Sequence, residues 1–398
     1  MNAVPRLKTY AGPVLLSYGF RPFFLLGAVY AGLAVLAWLP VFHGELQLRT
    51  AFGPIDWHVH EMLYGYLPAV VTGFLLTAIP NWTGRLPIQG LPLLTLVLVW
   101  LAGRIAVTLS VEIGWLAAAL IDVGFLALLI AAITREILAG KNWGNLKVVG
   151  LVSLLLVGNI AFHLESHFHG SAEYGVRIGI AALVLLISVI GGRIVPSFTR
   201  NWLVRENPGR LPVPMGGIDL SVIAFSAAVL ALWLIRPVGP DTAAALCAAG
   251  LAQMLRLARW AGDRTLRDRL VLVLHVGYAF VPLGFLLSSA GALDLVAPSA
   301  GIHAWTVGAA GTMTLAVMTR ASLGHTGNAL VASSFTQAIY AAVIVAALAR
   351  IGAALVPDAS GPLLQLTVLA WCAAFFGFAL SFGPLLLGKR RTAVARST

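Results

Sequence analysis

Charge is scarce in this chain. Only 10% of its 398 residues are Asp, Glu, Lys or Arg, while 59% are hydrophobic. A soluble domain cannot bury that much apolar surface, so the excess must face lipid. Cysteine is nearly missing. Cys247 and Cys372 both lie inside apolar runs, form no CxxC pair and exclude a disulfide framework. No CxxCH occurs either, so electrons cannot arrive through a fused cytochrome c. The first residues lack a small-residue cleavage site after a short apolar core, so no removable signal peptide is expected. Acidic residues number 15 against 26 basic ones, for a net charge of +11. The basic residues sit in short links between apolar runs. That is the footprint of membrane topology, and it argues against a nucleic-acid partner.

What is present is a series of long apolar runs. A membrane span needs roughly 20 mainly apolar residues. About twelve runs qualify: 20–42, 57–79, 90–110, 113–134, 146–168, 174–198, 217–235, 242–261, 270–290, 299–319, 328–351 and 361–387. With the N-terminus placed in the cytoplasm, about 20 Lys and Arg fall in inside segments and about three in outside links. The expected fold is therefore an all-α membrane protein of about twelve helices, a single transmembrane domain over 1–398 with both termini cytoplasmic. Spans two, six and ten end in "AIPNWTGR", "RIVPSFTRNW" and "LAVMTRASLGHTG", each a Thr/Arg-containing turn. This recurrence every four spans suggests three four-helix repeats.

Once topology is set, the histidines sort by depth. His58 and His60 open span two, His163 lies near the outer end of span five, and His303 opens span ten. His275 lies a turn or two above the inner end of span nine, and His325 is in the turn after span ten. Ionisable groups at membrane depth are costly and usually serve a site. Imidazole is a common ligand for haem iron and copper, so four histidines at one level can build a metal centre. On a helix, positions 58 and 60 point about 200° apart, so they would serve two centres, or one ligates while the other hydrogen-bonds. Glu61 shares the His58 face and can orient that imidazole or carry protons. Tyr64 and Glu165 are further candidate proton donors. Arg104 and Asp122 fall on neighbouring antiparallel helices, where a buried pair is expected. Arg104 or Arg193 can instead meet a haem propionate. His43, His167 and His169 fall in outside links and are expected to be solvated.

The blocks "GFRPFFLLGAVYAGLAV", "WHVHEMLYGY", "GFLLTAIPNWTGR", "GGRIVPSFTRNWL" and "HAWTVGAAGTMTLAVMTRASLGHTG" resemble the NnrS family. They run from about residue 19 to 327. The resemblance implies a polytopic membrane protein of bacteria that contains haem b and copper and is linked to nitric oxide, in denitrification or nitrosative-stress defence. It carries metal binding onto His58, His60, His163, His275, His303 and His325 as candidates, without dividing them between metals. A looser analogy joins the twelve spans and the His-x-His pair to the core of haem-copper oxidases. Spans six and seven, however, lack the histidines that would bind copper there.

The expected function is thus binding or reduction of nitric oxide at a metal centre in a bacterial inner membrane. Quinol or an external carrier would donate the electrons, and membrane lipids are the surrounding partner. Two alternatives belong to other classes: a secondary transporter with a polar site between helices, and a metal-binding sensor without turnover.

Overall fold

The computed structural model describes residues 10–390, and no strand occurs among the described residues. The apolar runs become helices: α1 (Phe20–Phe42), α2 (Pro54–His60), α3 (Leu67–Thr83), α4 (Leu91–Thr108), the short α5 (Ser110–Ile113) and α6 (Trp115–Ala139). Then follow α7 (Leu146–His169), α8 (Tyr174–Glu206), α9 (Gly217–Ile235), α10 (Pro240–Ala258) and α11 (Arg269–Ala292). The last are α12 (Ser299–His303), α13 (Thr312–Thr326), α14 (Ser334–Leu355) and α15 (Ser360–Leu387). Among the described residues, ten helical segments are long and apolar enough to cross a membrane. The chain is an all-α, multi-pass membrane protein.

Twelve such segments are expected from the sequence, and the count by length and composition is ten. The other two, 242–261 and 299–319, do form helices, as α10 and as the α12–α13 stretch. Their apolar content is lowered by polar residues turned inward. Gln253 and Arg256 are buried on α10, and Thr312 and Thr319 on α13. Arg6, Lys8, Arg391 and Arg396, which help to place the termini in the cytoplasm, lie outside the described residues.

Two helices are not uniform. Between α2 and α3 the chain makes a π-helix, Glu61–Tyr66. Between α12 and α13 it makes another, Ala304–Gly311. In both cases a histidine, His60 or His303, ends the preceding α-helical turn. A π turn widens the helix and frees backbone groups from the regular ladder, and such turns gather at functional sites. One carbonyl in the first of them, that of Gly65, is met by the Trp100 indole N–H at 2.9 Å.

Packing divides the chain into two units. The first comprises residues up to Gly179, Met318–Leu330 and the chain from Phe375. Within it α1 packs on α3, α4 on α6, and α6 on α7, around Phe20, Phe23, Phe24, Trp100 and Phe162. The sequence motifs tie its ends. Arg21 of "GFRPFF" donates to the carbonyls of Leu386 (2.7 Å) and Gly388 (2.8 Å) at the end of α15, where a cation offsets the helix dipole. Arg85 of "NWTGR" donates to Glu136 of α6 at 2.6 Å.

The second unit comprises Ile180–Val317 and Val331–Ala374. Within it α10 packs on α9 and α11, and α11 packs on α12 and the second π-helix. A buried polar chain runs through it. Arg256 donates to Asp219 (2.9 Å) and to the Tyr278 hydroxyl (2.6 Å), Tyr278 donates to Gln253 (2.8 Å), and Gln253 donates to Ser226 (2.9 Å). The packing thus sorts the chain in two, whereas the Thr/Arg turns suggest three groups of four.

Candidate metal centre

Among the described residues, a group of ionisable side chains gathers in the first unit, where the α2–π junction meets α4, α6 and α7. His60 ends α2, and its side chain is wholly buried. Asp122 comes from α6 and His163 from α7, with 2% and 5% of their surface exposed. Each offers a ligand atom, and the three atoms lie within 4.8 Å of one another. Asp122 Oδ2 is 3.2 Å from His60 Nε2 and 3.1 Å from His163 Nε2. Asn159, one turn before His163, donates to the same oxygen at 2.8 Å and turns its own Oδ1 to His60 Nε2 at 3.0 Å. Phe52 and Phe162 wall the two imidazoles, with Phe52 centroids 5.0 and 5.3 Å from His60 and His163.

A second layer surrounds this group. Glu61 Oε1 accepts from His60 Nδ1 at 3.1 Å. Glu61 Oε2 accepts from Arg104 Nη1 at 2.7 Å and from the Tyr30 hydroxyl. Arg104 Nη2 donates to Asp122 Oδ1. The buried Arg104–Asp122 pair expected from the sequence is therefore present. Two carboxylates and one guanidinium stand together out of contact with water, an arrangement that requires mutual pairing.

The donor set fits a metal ion. His60 has oxygen acceptors at both ring nitrogens, Glu61 on one side and Asn159 and Asp122 on the other. A neutral imidazole there leaves one lone pair facing an oxygen. An ion shared by His60 Nε2, His163 Nε2 and Asp122 Oδ2 removes that conflict. Two imidazoles and one carboxylate are a ligand set used by transition metals.

The remaining candidates are placed elsewhere. His58 does not join the group; its ring lies 4.4 Å from that of Trp38. His60, by contrast, meets Asp122. Glu61, expected to orient His58, instead bonds His60, because Arg104 and Tyr30 draw its carboxylate inward. Arg104, a candidate partner for a haem propionate, already forks between Glu61 and Asp122. Arg193 is half-buried on α8. Tyr64 donates to the Gly175 carbonyl at 2.6 Å rather than into the group. Glu165 accepts from the backbone N–H of Tyr174 (3.1 Å) and Gly175 (2.7 Å), as a carboxylate cap on α8.

In the second unit His303 Nδ1 donates to the Ser299 carbonyl at 2.7 Å. That bond fixes the tautomer and puts the lone pair on Nε2, as in ligating histidines. His275 fits a haem poorly. The Thr199 hydroxyl donates to Val195, so His275 Nε2 must donate to Thr199, at 2.8 Å. The lone pair on Nδ1 then faces Gly262 so closely that a Cβ there would lie 2.6 Å away. His325 packs against Tyr18 and Phe20, with centroids 5.5 and 5.4 Å away. His167 is exposed and stacks on Trp115 at 3.9 Å.

Sequence reasoning gave Asp122 to Arg104 alone and passed over Asn159 and Tyr30. Asn159 had a signal, since it stands four residues before His163 and so shares its helix face. Tyr30 had none.

A family model described as NnrS protein matches residues 14–390, nearly the whole chain. A comparison with curated proteins finds no match.

Proposed function

Because the chain belongs to the NnrS family of nitric-oxide-linked membrane proteins, we propose that it binds nitric oxide at a buried metal centre held by His60, His163 and Asp122. The carrying observation is the convergence of those three ligand atoms inside an apolar helical unit. A copper-type ion there would be held by His60, His163 and Asp122 and would supply one-electron redox chemistry toward a small neutral ligand. The protein's own residues do the rest. Glu61 fixes the His60 ring through Nδ1, Asn159 holds Asp122, and Phe52 and Phe162 keep water from the imidazoles. Nitric oxide is neutral and lipid-soluble, so an apolar surround admits it while excluding ions. Haem b belongs to the same reading, and His303, whose Nδ1 bonds the Ser299 carbonyl, is the residue that would hold it. The setting is a bacterial inner membrane, in denitrification or nitrosative-stress defence, with quinol or an external carrier as electron donor.

The test is metal analysis and visible and EPR spectroscopy of the detergent-purified chain, before and after nitric oxide. The expected result is bound metal whose spectrum changes with the gas, and loss of that metal in His60→Ala. A metal-free protein with no response to nitric oxide would sink the reading. Consumption of nitric oxide in the presence of a reductant separates a reductase from a sensor that only binds.

A further inference from the structure

We propose that Arg104 is the positioning residue of this centre: one guanidinium orients the ligand carboxylate of Asp122 and, through Glu61, the ligand imidazole of His60. This rests on the reading of His60, Asp122 and His163 as metal ligands.

The geometry divides each carboxylate in two. Arg104 takes Glu61 Oε2 with Nη1 at 2.7 Å and Asp122 Oδ1 with Nη2. The other oxygen of each is thereby turned the opposite way. Asp122 Oδ2 meets Asn159 Nδ2 at 2.8 Å and the two imidazoles at 3.1 and 3.2 Å. Glu61 Oε1 meets His60 Nδ1 at 3.1 Å. A buried carboxylate with one oxygen pinned by a charged hydrogen bond cannot rotate freely. The three residues come from three elements: α4, α6 and the first π-helix. The fork therefore also sets the spacing between the helices that carry the ligands.

Gly65, in the π-helix, leaves room for this fork. Gly65 stands four residues after Glu61. A Cβ on Gly65 would lie 2.4 Å from Arg104 Nη1 and 3.1 Å from Glu61 Oε2. The guanidinium occupies the space that any other residue would fill. Gly65 is thus the backbone half of the same device, and its substitution displaces Arg104 without removing a charge.

If Arg104 only balances the buried carboxylates, any cation of similar reach will serve. If it positions them, the planar fork is needed and lysine cannot replace it. The experiment titrates Cu²⁺ into metal-depleted, detergent-purified full-length chains: wild type, Arg104→Lys and Gly65→Ala. Affinity is read by chelator competition, ligand geometry by the Cu²⁺ EPR spectrum, and folding by circular dichroism. Both variants are expected to bind roughly 10–100-fold more weakly than wild type, with altered EPR parameters and unchanged helicity. Wild-type affinity and an unchanged EPR spectrum in both would overturn the positioning role while leaving the ligands standing. Absence of Cu²⁺ binding by wild type would overturn the ligand reading, and this inference with it. If Arg104→Lys does not fold, Gly65→Ala decides the question alone, since it keeps every charge.

Discussion

At Asp122 a single side chain joins the whole site. One oxygen accepts from Arg104, and the other meets Asn159, His60 and His163. Asp122→Asn keeps the shape and loses the charge. Metal content is expected to fall to background. Stability should drop by about 1.5–3 kcal/mol, the worth of a hydrogen bond to a charged group, read as a lower thermal midpoint in detergent. Tyr64 provides the contrast. Its hydroxyl serves the Gly175 carbonyl. Tyr64→Phe is expected to cost about 1 kcal/mol and to leave metal content and any nitric oxide consumption unchanged. A large fall in consumption with full metal content would instead make the hydroxyl a proton donor.

At the scale of the element, two helices share one plan: a short α-helical mouth ending in histidine, a π-helix, then a longer α-helix. At the start of the first π-helix His60 and Glu61 are adjacent, both are buried, and they bond each other at 3.1 Å. The second unit builds its polar core differently, from Asp219 on α9 and Arg256 on α10, both fully buried. Asp219→Asn removes the carboxylate of a buried pair, so a loss of about 3–5 kcal/mol is expected. The metal content of the first unit should not change in the protein that folds. Thermal unfolding and metal analysis of the same preparation check both halves of this statement.

At the scale of the whole molecule, the basic residues make a prediction about sidedness. Reporter fusions within 200–216 and 262–268 are expected to report the cytoplasm, and fusions within 43–55 and 292–298 the other side. The motive is the clustering of Arg200, Arg205, Arg210, Arg264 and Arg267 in the first two links, with Arg269 just after the second. Opposite signals at two of the four sites would reverse the assignment of His58 and His60 to the outer half of the bilayer. The links themselves are built to stay put. Arg264 donates to the carbonyls of Asn207 (3.0 Å) and Pro208 (2.9 Å), and Arg210 pairs with Asp263 at 2.5 Å.

The sequence by itself determined the class of the molecule. Apolar runs of membrane length can only be satisfied as helices in lipid, because each helix closes its own backbone hydrogen bonds. It also determined the family, through long motif blocks, and the pairing of Arg104 with Asp122, because two opposite charges on adjacent apolar helices have no cheaper arrangement. Only the tertiary structure decided which histidines meet. His58, His60, His163 and His303 look alike along the chain, yet His60 and His163 alone converge with Asp122 in the first unit. Their meeting depends on helix rotation, and the π-helix after His60 resets that rotation without a mark in hydropathy. Glu61 turned to His60 rather than His58 for a similar reason. The partners that draw it, Arg104 and Tyr30, lie 43 and 31 residues away along the chain, a separation that packing bridges and local periodicity cannot report.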